Sequence, residues 1–332
     1  MNIANRIIRL DFDADDRFDD PVLHAINHPI GQVTSALLDW WYRRELEDGQ
    51  KLPAFLLLVF TELCDTDNAS LVHGRVLLAA HSITLYRVDP EWAIEQLLPL
   101  FDWKQSEREA RGAWEGYLWS PRLYRPMMEH LKGAFLDTAT HYAQLGDHHS
   151  QYVSLLTLAA LEPGDTFKTA ELAAAVRTLP AEGLNDLADS LVRAVEGAGD
   201  KREEYWRNRL TPFWEKVWPR AKDKAQSVDG EALARLCVAA RDEFPAAVSL
   251  LQNWLRPVEH PSYPIHRLHE EALCGKFPDA ALLLLDRIID ANAAWMPPEL
   301  RDCLNSIAAS APHLVQSQRY MRIDALARRA LL

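Results

Sequence analysis

The stretch FPAAVSLLQNWL at 244–255 returns 33 residues later as FPDAALLLLDRI at 277–288, and a looser copy, DPEWAIEQLLPL, stands upstream at 89–100. Ahead of Phe244 lies EALARLCVAARDE, and ahead of Phe277 lies IHRLHEEALCGK. Each is about three turns of helix with an apolar stripe. A short turn follows, then Phe-Pro, then a second helix with apolar residues at three- and four-residue spacing. The unit is a helix–turn–helix pair. Two antiparallel helices alone cannot bury both apolar faces, whereas similar pairs stacked side by side can, so such units recur at ~30–47 residues. The expected fold is all-α: an irregular α-solenoid of stacked helical hairpins, HEAT-like or TPR-like without a clean consensus.

Other signals agree with this class. Helical periodicity runs through most of the chain, and no Asn-Gly or Asp-Gly turn separates alternating runs. Pro29, Pro53, Pro90, Pro245 and Pro278 suit first helical turns, where a missing N–H costs nothing. Asp89, Asp165 and Asp229 are candidate N-caps, His28 is read as a cap for the helix behind Pro29, and Gly146, Gly164, Gly199 and Gly275 are expected helix ends. At 332 residues the chain exceeds the size at which one core stops growing, about 250–300 residues. The reading divides it into an acidic arm (1–20), an N-terminal helical half (21–198) and a C-terminal half (199–332) continuous with it, broken softly at EGAGDKRE.

Charge and composition narrow the function. A net charge of −12 disfavours non-specific nucleic-acid binding unless the charge is segregated. The longest apolar run, LPAFLLLVF at 52–60, is too short for a bilayer, which needs ~20 residues. The opening residues carry no signal-peptide core, so the expected location is cytoplasmic. Cys64, Cys237, Cys274 and Cys303 form no CxxC pair and read as buried reduced thiols.

Motifs for chemistry are sparse. DFDADD at Asp11–Asp16 starts like a calcium loop, but Asp16 and Val22 occupy the positions that need Gly and Glu. His24 and His28 lack the intervening Glu of a zinc helix. No phosphate loop, nucleophile elbow or dinucleotide fingerprint occurs. No cofactor or metal is therefore expected, and the chain reads as a non-enzyme. The rival reading is a hydrolase with its site in a helical groove, for which His266, His269 and Glu270 are the residues to inspect, with Cys274 on the same segment.

One segment reverses the charge: KREEYWRNRLTPFWEKVWPRAKDK at 201–224 has eight basic and four acidic residues. Trp206, Arg207, Arg209, Trp214, Lys216 and Arg220 are candidate partner-binding residues, together with the turn histidines His148 and His149. The bland reading competes: spacings of eight and four put Trp206, Trp214 and Trp218 on one face, a core stripe with a solvated basic back. A third reading, stacking on nucleic acid, needs those rings exposed. Adjacent Trp40 and Trp41 cannot share one buried face, so one of them is a candidate for a groove or interface.

The phrases AINHPIGQVTSALLDWW (25–41), DPEWAIEQLLPLFDW (89–103), AWEGYLWSPRL (113–123), RLTPFWEKVWP (209–219) and FPAAVSLLQNWLRP (244–257) resemble, in this order, a helical-repeat domain of unknown function. That domain is found on the C-terminal side of sirtuin-like bacterial anti-phage defence proteins. The resemblance implies a region that senses, restrains or assembles beside an NAD-consuming effector. Nothing in this chain resembles the sirtuin domain, so no catalytic residue carries over. The expected function is a scaffold or sensor that binds a protein partner and regulates or assembles an effector.

Overall fold

The computed structural model describes residues 6–10, 20–162, 164–220, 228–290 and 296–329. The Asp11–Asp16 stretch, Lys222, Lys224 and Trp295 lie outside the described residues. Among the described residues the chain is helix and turn with no strand. The helices are α1 Pro21–Asn27, α2 Pro29–Tyr42, α3 Ala54–Leu63, α4 Val72–Ala80, α5 Ser82–Val88, α6 Pro90–Trp92, α7 Glu107–Leu118, α8 Arg125–Asp137, α9 His149–Leu161 and α10 Thr169–Thr178. They continue as α11 Ala181–Gly197, α12 Arg202–Tyr205, α13 Thr211–Lys216, α14 Gly230–Ala239, α15 Phe244–Leu251, α16 Ser262–Glu270, α17 Leu273–Lys276, α18 Pro278–Ile288, α19 Glu299–Ser310 and α20 Gln318–Arg329.

Side chains at the helix starts explain where they begin. Asp20 accepts from Leu23 N–H at 2.9 Å ahead of α1, and His28 Nδ1 accepts from Ile30 N–H at 3.2 Å ahead of α2. Asp89 and Asp229 cap α6 and α14 as their sequence positions suggest. Asp165 does not cap: α10 starts at Thr169, and Glu171, in its first turn, reaches back to Lys168 N–H at 2.9 Å. Gly275 lies within α17 and ends no helix; the left-handed residue that closes α16 is Ala272, at φ +53.

Two prolines reshape helices in the same way. The turns Ala93–Leu97 and Trp206–Leu210 are π-type, and each is followed, after one intervening residue, by proline, Pro99 and Pro212. A helical proline crowds the carbonyl four residues back and offers no N–H. The turn widens, and the preceding residue bonds five back: Leu98 N–H to Ala93 O, Thr211 N–H to Trp206 O.

The chain forms two compact units, with the break at Leu179–Pro180; the short segment Ala160–Glu162 belongs to the second. The sequence division at 198 falls at the far end of α11. In the first unit α4 is central and packs against α1, α2 and α7. Gly116 of α7 faces α4 so closely that a Cβ there would lie 2.3 Å from Val76 O, so only glycine permits the crossing. Beyond α7 an aromatic core gathers Phe101, Trp114, Phe135 and Tyr152, with Trp114 Nε1 donating to Phe101 O at 3.0 Å. α8 passes into a 3-10 stretch, Thr138–Gln144, kinked at His141, which stacks on Trp103 at 4.1 Å.

Arg75 of α4 is only 2% exposed. Its Nε and Nη2 meet Glu109 at 2.6 and 2.9 Å, and Nη1 donates to the carbonyls of Leu63, Asp65 and Asn68 at 3.2, 2.7 and 3.1 Å. One guanidinium thus joins α4, α7 and the end of α3. Beside it the Cys64 thiol is buried, and burial pushes its pKa up to about 12.

In the second unit α11 packs on α14, α14 on α16, and α16 on α19. The partner helices form a parallel succession: α15 on α18, and α18 on α20. Phe244 and Phe277 each lead into such a partner helix, and their rings lie 6.4 Å apart. Their backbones differ: Phe244 is the first helical residue of α15, whereas Phe277 is the cap of α18 at φ −135°. α14 and α16 both close on a left-handed non-glycine residue, Arg241 and Ala272, and the extra turn α17 then precedes Phe277.

Arg75→Met leaves Glu109 and three carbonyls without their partner; the expected loss is about 3–5 kcal/mol in denaturant unfolding. Ala272→Gly relieves a left-handed Cβ, and the expected gain is roughly 0.5–1 kcal/mol, read as a rise in the unfolding midpoint.

Candidate interaction surface

The basic segment is built on α12, the π turn at Trp206–Leu210 and α13. Trp206, Leu210, Phe213, Trp214, Val217 and Trp218 are all buried. Trp214 and Trp218 stack at 4.3 Å, and Trp254 meets Trp214 edge-on at 5.2 Å. Trp206 and Trp214 are therefore a correction to the candidate list: they belong to the core of the second unit, because the helical spacing turns them away from the charged side. The exposed back carries Arg207, Arg209, Lys216 and Arg220. Arg207 pairs with Glu243 at 2.8 Å, and Arg220 Nη2 donates to Glu215 O at 2.9 Å. Without rings beside them, these groups lack the stacking half of a single-strand binding groove.

The turn histidines are half-buried. His148 Nδ1 lies 3.8 Å from Glu115 Oε2, and Glu115 is buried against Arg111 at 2.8 Å. His149 Nδ1 and Tyr142 OH are 2.9 Å apart. This pair joins the start of α9 to the chain around it. His266 lies between Glu299 at 3.4 Å and Glu270 at 4.0 Å, while Arg267 holds Glu270 at 2.5 Å and Glu271 at 2.7 Å. His266 and Glu270 are about half exposed and His269 is exposed, whereas Cys274 is buried, so the group faces in different directions. Among the described residues no group of His, Cys, Asp or Glu could hold a metal ion, and no helix is long and apolar enough to cross a membrane.

A different surface stands out on α3. Its inner face buries Leu56, Val59, Phe60 and Leu63. Its outer face shows Leu58, 73% exposed, and Leu57, 37% exposed. Phe55 meets Trp40 of α2 edge-on at 4.9 Å, and the Arg44 guanidinium lies 3.9 Å over the Trp40 ring. Trp41, one residue on, is fully buried. The signal was present in LPAFLLLVF: nine residues without a charged or hydrogen-bonding side chain leave a helix no polar face to give to water.

No family model matches the chain, and no solved structure matches it. Among curated proteins it is similar to the uncharacterised protein y4cA of Sinorhizobium fredii, 25% identical over 134 residues. The match covers 40% of this chain and 11% of that protein, so the chain spans about a tenth of the relative's length.

Core and surface in the basic segment separate by mutation. Trp214→Ala is expected to cost about 3–5 kcal/mol in chemical denaturation. Arg207→Ala, whose side chain is 60% exposed, should stay within about 0.5 kcal/mol of the parent.

Proposed function

We propose that the chain is a non-catalytic helical-repeat module that binds a protein partner and so regulates or assembles an effector in bacterial anti-phage defence. The outward face of α3 carries this reading. Leu57 and Leu58, with Phe55 and Trp40 nearby, place apolar surface in water at a cost of roughly 25 cal/mol per Å². Such patches mark contact sites, and an aromatic ring with an arginine over it is the composition of a binding hot spot.

Two further observations support the reading. The helix pairs of the second unit follow one another in matched succession, which we read as a short irregular α-solenoid. Each pair adds its own outward side chains, so such a body offers a long surface for recognition. Similarity to a short stretch of a far longer protein, and the resemblance to helical regions beside defence effectors, both suit a module that works alongside other domains.

A photo-crosslinking residue at position 58 tests this in the native host, with position 95, exposed elsewhere on the same unit, as control. The expected result is an adduct from 58, and not from 95, with one defined polypeptide. That polypeptide, purified, should bind the parent chain at least about tenfold more tightly than Leu58→Glu. Cells carrying the variant should also lose protection against phage. Equal binding by parent and variant, or no adduct from 58 during infection, sinks the reading.

A further inference from the structure

We propose that Cys274 and Cys303 form a reversible disulfide when the chain meets a hydroperoxide, a redox-sensitive staple between α17 and α19. The inference goes beyond the partner-binding reading and does not rest on it.

The fold brings together two thiols from different helices. α17 packs against α19. Gly275, the residue after Cys274, lies so near α19 that a Cβ there would stand 3.5 Å from Ser310 Oγ and 4.0 Å from Ser306 Cβ. Positions 303, 306 and 310 follow at three- and four-residue spacing, so they share the face of α19 that meets α17. Cys274 is 2% exposed and Cys303 is fully buried. A side-chain hydrogen bond with Cys303 is the largest influence on the Cys274 thiol, ahead of burial, and both hold it protonated. Cys303 also directs its Sγ toward Ile265 O of α16, 3.9 Å away. Cys64 and Cys237 are buried too, but neither has another thiol acting on it.

A buried thiol needs a route to the oxidant, and α17 supplies one. This helix is four residues long, set between left-handed Ala272 at φ +53° and Phe277 at φ −135°. Its backbone ties include Lys276 N–H to Ala272 O at 3.2 Å and Phe277 N–H to Leu273 O at 2.8 Å. A turn this short opens at small cost while α16 and α18 stay folded. Cys303, inside the 12-residue α19, stays in place. Opening therefore bares Cys274 first.

In the open state the Cys274 sulfur gives up its proton and attacks one oxygen of hydrogen peroxide. The O–O bond breaks, and the departing hydroxide takes up that proton as water. When α17 closes, the Cys303 sulfur attacks the sulfenic sulfur. The S–S bond forms, the S–O bond breaks, and the Cys303 proton leaves with the hydroxyl as a second water. The two thiols lose two electrons and two protons, and one peroxide is reduced to two waters. The bond then fastens α17 to α19, and an external dithiol reverses it by exchange.

Peptide mapping tests the pair on the reduced full chain, treated with a small excess of hydrogen peroxide and blocked with N-ethylmaleimide. The expected tryptic product joins 268–276 to 302–319, each with one cysteine, and dithiothreitol separates them. Cys64 and Cys237 should stay reduced. In Cys303→Ser the sulfenic acid has no partner, so Cys274 should take up dimedone. Recovery of Cys274 and Cys303 as thiols from the parent chain overturns the proposal. So does a crosslink that forms only after unfolding in denaturant, or equal oxidation of Cys64 and Cys237, which would mean general attack on an opened chain. These readouts come from the parent chain and leave the partner surface on α3 untouched.

Discussion

A guanidinium with almost no access to water governs the first unit. Arg75 offers its donors in a planar fork, and each direction of the fork is answered: a carboxylate from α7 on one side, three carbonyls from the end of α3 and the following turn on the other. Helix ends leave carbonyls unsatisfied, and at a buried end water cannot supply the missing donors. Arg75 supplies them, and its charge also suits the negative end of the α3 dipole. The consequence reaches the surface. The outward side of α3 carries Leu57 and Leu58 as well as Thr61 and Glu62, so hydrophobic patterning alone orients it weakly. Clamping its C-terminal end to α4 selects one orientation and commits Leu57 and Leu58 to solvent.

Proline placement is the second constraint, and it operates on both units by one rule. Pro99 and Pro212 each widen the turn before them. In the first unit the widened turn and Pro99 stand across an open groove from Leu131 and Ala134 of α8. In the second it carries Trp206 into the core with Trp214 and Trp218, despite spacings that an undistorted helix would place only approximately in line. The upstream copy DPEWAIEQLLPL thus resembles the later two in composition, but its internal proline gives it another shape.

What was legible in the sequence follows from how local each cause is. Helix starts at His28–Pro29, Asp89–Pro90 and Asp229 rest on a few adjacent residues and could be read directly. The pairing of Phe244 and Phe277 was legible as a repeat, and their rings do meet, yet the differing turns before them were not. The αL closures fall on Arg241 and Ala272, residue types that give no warning of positive φ. Asp165 misled because α10 begins only at Thr169, with Lys168 in the cap position. The core role of Trp214 and Trp218 was visible as a stripe, whereas its weight against the charged residues depended on packing with Trp254, distant in sequence. The Arg75 fork was missed outright: nothing in HGRVLLAA distinguishes a buried arginine from a surface one, because its partners come from two other stretches, 63–68 and Glu109.

The charge distribution connects these features to recognition. In the second unit cations bridge successive helices: Arg207 to Glu243, Lys276 to Asp242, Arg322 to Asp286 and Arg301 to Asp324. Several are exposed and each contributes little to stability, but each consumes a positive charge that a polyanion would need. With a net charge of −12, what remains at long range is negative. The basic run at 201–220 is partly neutralised where it stands and does not reverse that field. Ligands approaching this chain are therefore sorted first by sign, with cationic or basic groups favoured over nucleic acid. On the binding role proposed above, contact at the apolar face of α3, turned outward by the Arg75 clamp, would then sort them by shape.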